Sequence, residues 1–272
     1  MRTGTALLFA LALIAGTSAS GEAAISGAKQ QHELSPTPLS RTPSDVQVLW
    51  SRLKTGLPPQ LYANFDLFIY VNKAEQGPWA QHLYAFSKPS SASPNPEMIL
   101  MLDAPVSTGR ETIERAKDGQ RVSTGTPVGF YELDPDRFET GHRSRQWLED
   151  MPNAMFFDWD NNGARSGLAI HGVTDAASIA ALGHRASAGC VQLSLDASRL
   201  LMDLVRDDFE GTVPVLAHDK KKHTTSTAGE FARDARGQIV MAHGYRALVI
   251  IEDLETGPAT SQLVTSPQTH SG

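Results

Sequence analysis

Among 272 residues there is one cysteine, Cys190, and eighteen residues separate it from His171 upstream. A thiol attacks as its thiolate, and a neighbouring imidazole is the usual group to take its proton. His171 closes a short apolar run, Leu168-Ala169-Ile170, that reads as a strand. Cys190 follows Ser187-Ala188-Gly189 and precedes a second apolar segment starting at Val191. A helix capped by Asp175 and stopped by Gly183 fits between them, and would return both ends to one edge of a sheet. Gly189 permits a tight turn beside the sulfur and lets backbone N–H groups approach a substrate carbonyl. A lone cysteine is by default a small buried residue. The histidine and the glycine are what make this one a candidate nucleophile.

The elements that must position this pair read as mainly strands between residues 66 and 216. Leu67–Val71, His82–Phe86, Met98–Leu102, Gly129–Leu133, Leu168–Ile170 and Val213–Leu216 are rich in β-branched and aromatic residues, with Gly, Pro, Asn and Asp between them. Two helices interrupt, one over 175–182 and one starting near Ser194 with Ala197, Leu200, Leu201, Leu204 and Val205 on one face. Many short strands with few helices predict a β-sandwich or partly closed barrel. An N-terminal amphipathic helix, with Val46, Leu49, Trp50 and Leu53 on one face, would pack against it. Tyr245–Ile251 predicts one more strand or hairpin in the same sheet. Asp158–Gly163 opens like a calcium loop, but Ala169 stands where the bidentate Glu belongs, so a turn between two strands is expected.

Three motifs in order resemble the YkuD-type L,D-transpeptidases: Pro105-Val106-Ser107-Thr108-Gly109, then Gly125-Thr126-Pro127-Val128-Gly129-Phe130-Tyr131, then His171-Gly172 followed by Ser187-Ala188-Gly189-Cys190-Val191. The resemblance spans about 66–216. It implies a sandwich catalytic domain and two-step acyl transfer on peptidoglycan stem peptides. Cys190 would attack the carbonyl between the third, diamino-acid residue of a tetrapeptide and its terminal D-Ala, and His171 would move the proton. By position, the Gly172 carbonyl would orient the imidazole, the N–H groups of Gly189 and Cys190 would hold the oxyanion, and Ser187 would support the loop. A carbapenem adduct on Cys190 is implied, and no metal or cofactor. Two positions depart from the family pattern: Ala188 replaces a frequent histidine and Gln192 a frequent arginine. Candidate substrate contacts are therefore His184, Arg185, Gln192 and Trp159, the last with core packing as the default.

Residues 1–19 read as a signal peptide, with Arg2, a short apolar run and small residues at 17–19. Cleavage after Ala19 is expected, with Ala23 or Ala24 as alternatives. A flexible leader (20–43), the helix and linker (44–65), the catalytic domain (66–216) and a C-terminal extension (217–272) would follow. The run in 1–19 is too short to span a bilayer, so an exported protein of the periplasm or cell envelope is predicted. The formal charge of −6 gives no sign of a basic nucleic-acid-binding face, and no nucleic-acid partner is expected. One cysteine excludes an internal disulfide. A sortase-like enzyme would need a longer His-to-Cys gap. A carboxypeptidase using water as acceptor, or a non-catalytic envelope module, fits the same scaffold.

Overall fold

The computed structural model describes residues 43–89 and 98–255. The signal peptide and leader expected before residue 43 lie outside them, as does the end of the extension. Two sheets pack face to face, and no closed barrel forms. The larger has five strands in the order Ile99–Pro105, His82–Ser87, Leu67–Asn72, Ala247–Glu252, Gly129–Tyr131. The smaller has four, in the order Val191–Ser194, Ala169–Val173, Asp150–Phe157, Leu133–Arg143. The strand expected from the C-terminal extension takes an inner place, parallel to Leu67–Asn72, with Leu67 opposite Ala247 and Val71 opposite Ile251.

Alternation along these strands sorts the core. Leu67, Ile69, Val71, Val249 and Ile251 point between the sheets to meet Met155, Phe157, Ile170, Val191 and Leu193. Their neighbours Phe68, Tyr70, Leu248 and Ile250 point the other way, onto helices Pro43–Gly56 and Pro59–Asn64. The first helix puts Leu49 and Leu53 at 0% exposure against this face, with Val46 and Trp50 beside them. Each such leucine contributes about 1.5–3 kcal/mol. The larger sheet is therefore buried on both faces. A buried ion pair locks the layer: Arg52 donates to both carboxylate oxygens of Glu252 at 2.6 and 3.0 Å, and the Tyr70 hydroxyl donates to the same carboxylate at 3.0 Å.

Helix Leu195–Asp208 is capped by the Ser194 hydroxyl, which accepts from the Ala197 N–H. It buries Ala197, Ser198, Leu201, Met202 and Val205. Leu200, expected on this face, is 63% exposed, because the buried stripe runs through 197, 201 and 205 with 198 and 202 on one side. The Asp158–Gly163 segment forms the expected turn: Asp160–Asn161 pairs with Ala164–Arg165, and Asn162 and Gly163 both take positive φ, the geometry of a tight hairpin. The two longest strands had no counterpart among the expected ones. Leu133–Arg143 is long and polar, and Asp150–Phe157 is broken in pattern by Pro152 and by Asn153 at φ +53.

Candidate active site

His171 and Cys190 come together through a parallel strand pair. Ala169–Val173 and Val191–Ser194 lie side by side with Ile170 opposite Val191 and His171 opposite Gln192. A parallel pair needs a crossover, and helix Ala176–Ala180, capped by Asp175, supplies it. Ile170 faces the inter-sheet core, so Ala169 and His171 face the outside of the smaller sheet. Cys190 packs on that outer face against Met151, Ala154, Phe156 and Ala169. Thiol and imidazole therefore share one face of one sheet.

His171 is 3% exposed, and its Nδ1 is hydrogen-bonded to the Gly172 carbonyl at 2.8 Å. A carbonyl only accepts, so Nδ1 carries the proton and Nε2 is left as the basic nitrogen. Burial, with a smaller contribution from the nearby His142, lowers the imidazole pKa to about 4; the Gly172 bond opposes this. Burial likewise raises the Cys190 thiol to about 11, against a backbone hydrogen bond from Ala169 that favours the thiolate. Both groups are neutral at pH 7. Cys190 Sγ contacts the Gly167 carbonyl at 3.7 Å, and no hydrogen bond joins it to His171. The half-buried sulfur is thus neither sealed in the interior nor held ionised by the imidazole in this conformation.

The loop carrying the sulfur is clamped from three sides. Ser187 donates to the Cys190 carbonyl at 2.6 Å and accepts from the Gly189 N–H at 3.1 Å. That second bond gives one of the two N–H groups expected to hold the oxyanion an intramolecular partner in this conformation. Thr126 donates to the Gly189 carbonyl at 2.7 Å and accepts from the Gly109 N–H at 2.8 Å, so one hydroxyl joins all three sequence motifs. Arg110 donates to the carbonyls of Ala186 and Ser187. Gly189 has φ +119, and a Cβ there would sit 3.0 Å from Leu168 and 3.1 Å from the Gly125 carbonyl. Only glycine fits both constraints.

A further shell was not foreseen from the sequence. Glu111 accepts from the Thr126 N–H at 3.1 Å and from the buried Lys73 ammonium at 2.8 Å. It does so from φ +58, a backbone state rare outside glycine. No local signal marks Glu111 or Lys73, which meet across 38 residues. The Thr-Pro-x-Gly motif had pointed to Thr126 without giving its role.

Arg185 donates to the Lys73 carbonyl at 2.8 Å and to both oxygens of Asp253 at 2.7 and 2.8 Å, so its charge is committed to the scaffold. His184 is exposed on the loop after the crossover helix. Gln192 is 6% exposed beside His171 and brings no charge. Trp159 packs on the main core, edge-on to Tyr131, with its indole N–H donating to the Thr225 carbonyl. Among the described residues, no group of three or more His, Cys, Asp or Glu side chains could hold a metal ion.

No curated protein matches the chain. Solved structures similar to the chain include an L,D-transpeptidase from Xylanimonas cellulosilytica, at 18% identity and TM-score 0.37, covering 74% of this chain and 68% of that one. Another is an L,D-transpeptidase from Mycobacterium tuberculosis, at 14% and 0.34, covering 70% and 58%. A third is L,D-transpeptidase 3 of the same organism with a faropenem-derived adduct, at 13% and 0.35, covering 70% and 61%. The chain spans about three-fifths of the length of these mycobacterial structures. The YkuD family, described as the L,D-transpeptidase catalytic domain, matches residues 67–216, more than half the chain and the same stretch that carries the three motifs clamped by Thr126. The chain belongs to the YkuD family of L,D-transpeptidase catalytic domains.

Proposed function

We propose that this protein is an exported L,D-transpeptidase acting on peptidoglycan stem tetrapeptides through a Cys190 acyl-enzyme. One observation carries the reading: His171 has Nδ1 bound to the Gly172 carbonyl and Nε2 left unprotonated, on the same sheet face as the sole thiol. A neutral imidazole is the form a general base requires, and one held in a single tautomer loses no time in the wrong one.

The thiol starts protonated, so proton transfer accompanies attack. The sulfur rotates about Cα–Cβ, away from the Gly167 carbonyl, to a second staggered position facing Nε2. As Sγ bonds to the carbonyl carbon of the third stem residue, its proton passes to Nε2. The tetrahedral intermediate collapses, the C–N bond to the terminal D-Ala breaks, and His171 returns the proton to the leaving amine. An amine on a second stem then attacks the thioester and loses its proton to His171. Its nitrogen takes the acyl group, and the thiol is regenerated. The product is a 3→3 crosslink. The Cys190 N–H remains as a backbone donor for the oxyanion.

Export is supported by the signal-like residues 1–19, and no helix among the described residues is long and apolar enough to cross a membrane. Membership of the family supports a carbapenem acyl adduct on Cys190 as a further expectation.

The test is to incubate the purified protein with tetrapeptide-bearing muropeptides and follow products by mass spectrometry. Crosslinked dimers with release of D-Ala are expected, and Cys190→Ala abolishes both. Tripeptides alone would move the reading to an L,D-carboxypeptidase. No product and no carbapenem adduct on Cys190 would leave an envelope binding module and falsify the enzyme reading.

A further inference from the structure

Along the strand that carries His171, the thiol lies at one end, beside Ala169, and an open cavity at the other, where Thr174 lines it. The cavity has a volume of about 390 Å³ and is walled by Gly141, His142, Arg143, Asp150, Pro152 and Thr174. Its wall is continuous with the surroundings of the sulfur: the His142 ring stands edge-on to Phe156 at 5.0 Å, and Phe156 belongs to the cluster on which Cys190 packs.

We propose that this cavity is the pocket for the carboxylate of the residue whose nitrogen His171 protonates, with Arg143 as its anchor. This rests on the transpeptidase reading above. The scissile nitrogen must come within hydrogen-bond reach of His171 Nε2. In a terminal amino acid the carboxylate sits on the carbon next to that nitrogen. With the acyl carbon held at the sulfur, the carboxylate is directed past the imidazole, into the cavity. The second half-reaction retraces the same path, so the pocket also selects acceptor amines with a carboxylate on the adjacent carbon.

The charges on the wall suit this ligand. Arg143 donates through Nη1 to Asp150 at 2.5 Å, and a guanidinium has five N–H donors, so others stay available to a second carboxylate. The pair is exposed, 61% and 64%, and a surface pair of this kind is held weakly, so sharing the cation costs little. One carboxylate lines the cavity, Asp150, and it is bonded to Arg143; Glu139, outside the lining, is bonded to His142 Nδ1 at 2.7 Å. Arg185 is bound to Asp253, and Gln192 is neutral, so neither substitutes for Arg143.

The test separates binding from turnover. Affinities of a stem tetrapeptide with a free terminal carboxylate, and of the same peptide as its C-terminal amide, are measured calorimetrically against the full-length Cys190→Ala protein. The acid should bind roughly tenfold or more tighter. Adding Arg143→Ala should erase that preference, while Arg143→Lys keeps part of it, having charge without the planar fork. Arg143 is exposed, so the variants should fold, which matched melting curves check. Equal affinity for acid and amide, no binding of either, or a preference that survives Arg143→Ala overturns the proposal. Selective binding together with no turnover by the wild-type protein would sink the transpeptidase reading and leave the pocket standing.

Discussion

The five-stranded sheet is covered on both faces, by the N-terminal helices on one side and the inter-sheet core on the other. The four-stranded sheet packs one face on that core and leaves the other, which bears Cys190 and His171, under the small cluster of Met151, Ala154, Phe156 and Ala169. The two regions treat polar groups differently. In the larger sheet the buried charges are matched, Arg52 to Glu252 with the Tyr70 hydroxyl closing the set. On the open face burial acts on unmatched groups, and thiol and imidazole are pushed toward their neutral forms. Matched charges make a scaffold, and unmatched ones wait for a substrate to complete them.

The sharpest way to break this comparison is to disturb each region in turn. Gly189→Ala, strained at φ +119 and crowded by Leu168, should cut D-Ala release by roughly a hundredfold or more, since displacing a nucleophile by about 1 Å has that effect. Its melting point should fall only as far as a cost of about 1–3 kcal/mol requires. Arg52→Ala should do the reverse. It leaves Glu252 buried without its cation and should destabilise by about 3–5 kcal/mol in urea titrations, with turnover per folded molecule retained. If Arg52→Ala lost activity while keeping its stability, the division between scaffold and site would fail.

Acid titration gives the next largest effect. A base that stays neutral down to about pH 4 should place the acid limb of turnover near 4, not near 6.5. The same lowered pKa makes the unfolded chain bind the proton more readily between pH 6.5 and 4. His171 therefore subtracts stability as pH falls through that window, and His171→Gln should flatten this part of the stability curve. An acid limb near 6.5 would mean that the imidazole is better solvated than its burial indicates. Thiol alkylation should in parallel keep rising with pH toward 11 and not level off near 9. The smallest effect belongs to the hairpin turn: Asn162→Ala should cost about 1 kcal/mol, read as a shift of a few degrees in melting temperature, without touching turnover.

Much of this molecule was legible before folding was considered. Helix Pro43–Gly56 shows its face through Leu49 and Leu53, Ser194 and Asp175 announce caps, and Asn162-Gly163 can hardly be other than a tight turn. Each of these is decided by neighbours within a few residues. Strand Leu133–Arg143 was missed because its outer half faces solvent on both sides of the alternation, so Asp, Arg, Glu and His stand where a pattern would need apolar residues. Strand Asp150–Phe157 was missed because the positive-φ Asn153 shifts the phase of its alternation. At the site, Ser187 and Gly189 could be read as loop supports, but Glu111, Lys73 and Arg143 could not, since each gains its meaning from a partner or cavity on another element.

The chain's own order of residues determined the identity of the thiol and the imidazole, the glycine beside the sulfur and the crossover that joins their strands, because spacing and backbone preference are local properties. Tertiary packing alone decided that both groups rest neutral, that Arg185 pairs with Asp253, that Trp159 packs on the core, and that Ala247–Glu252 lies inside the sheet. Burial and ion pairing depend on which distant surfaces meet, and no stretch of sequence contains that information by itself.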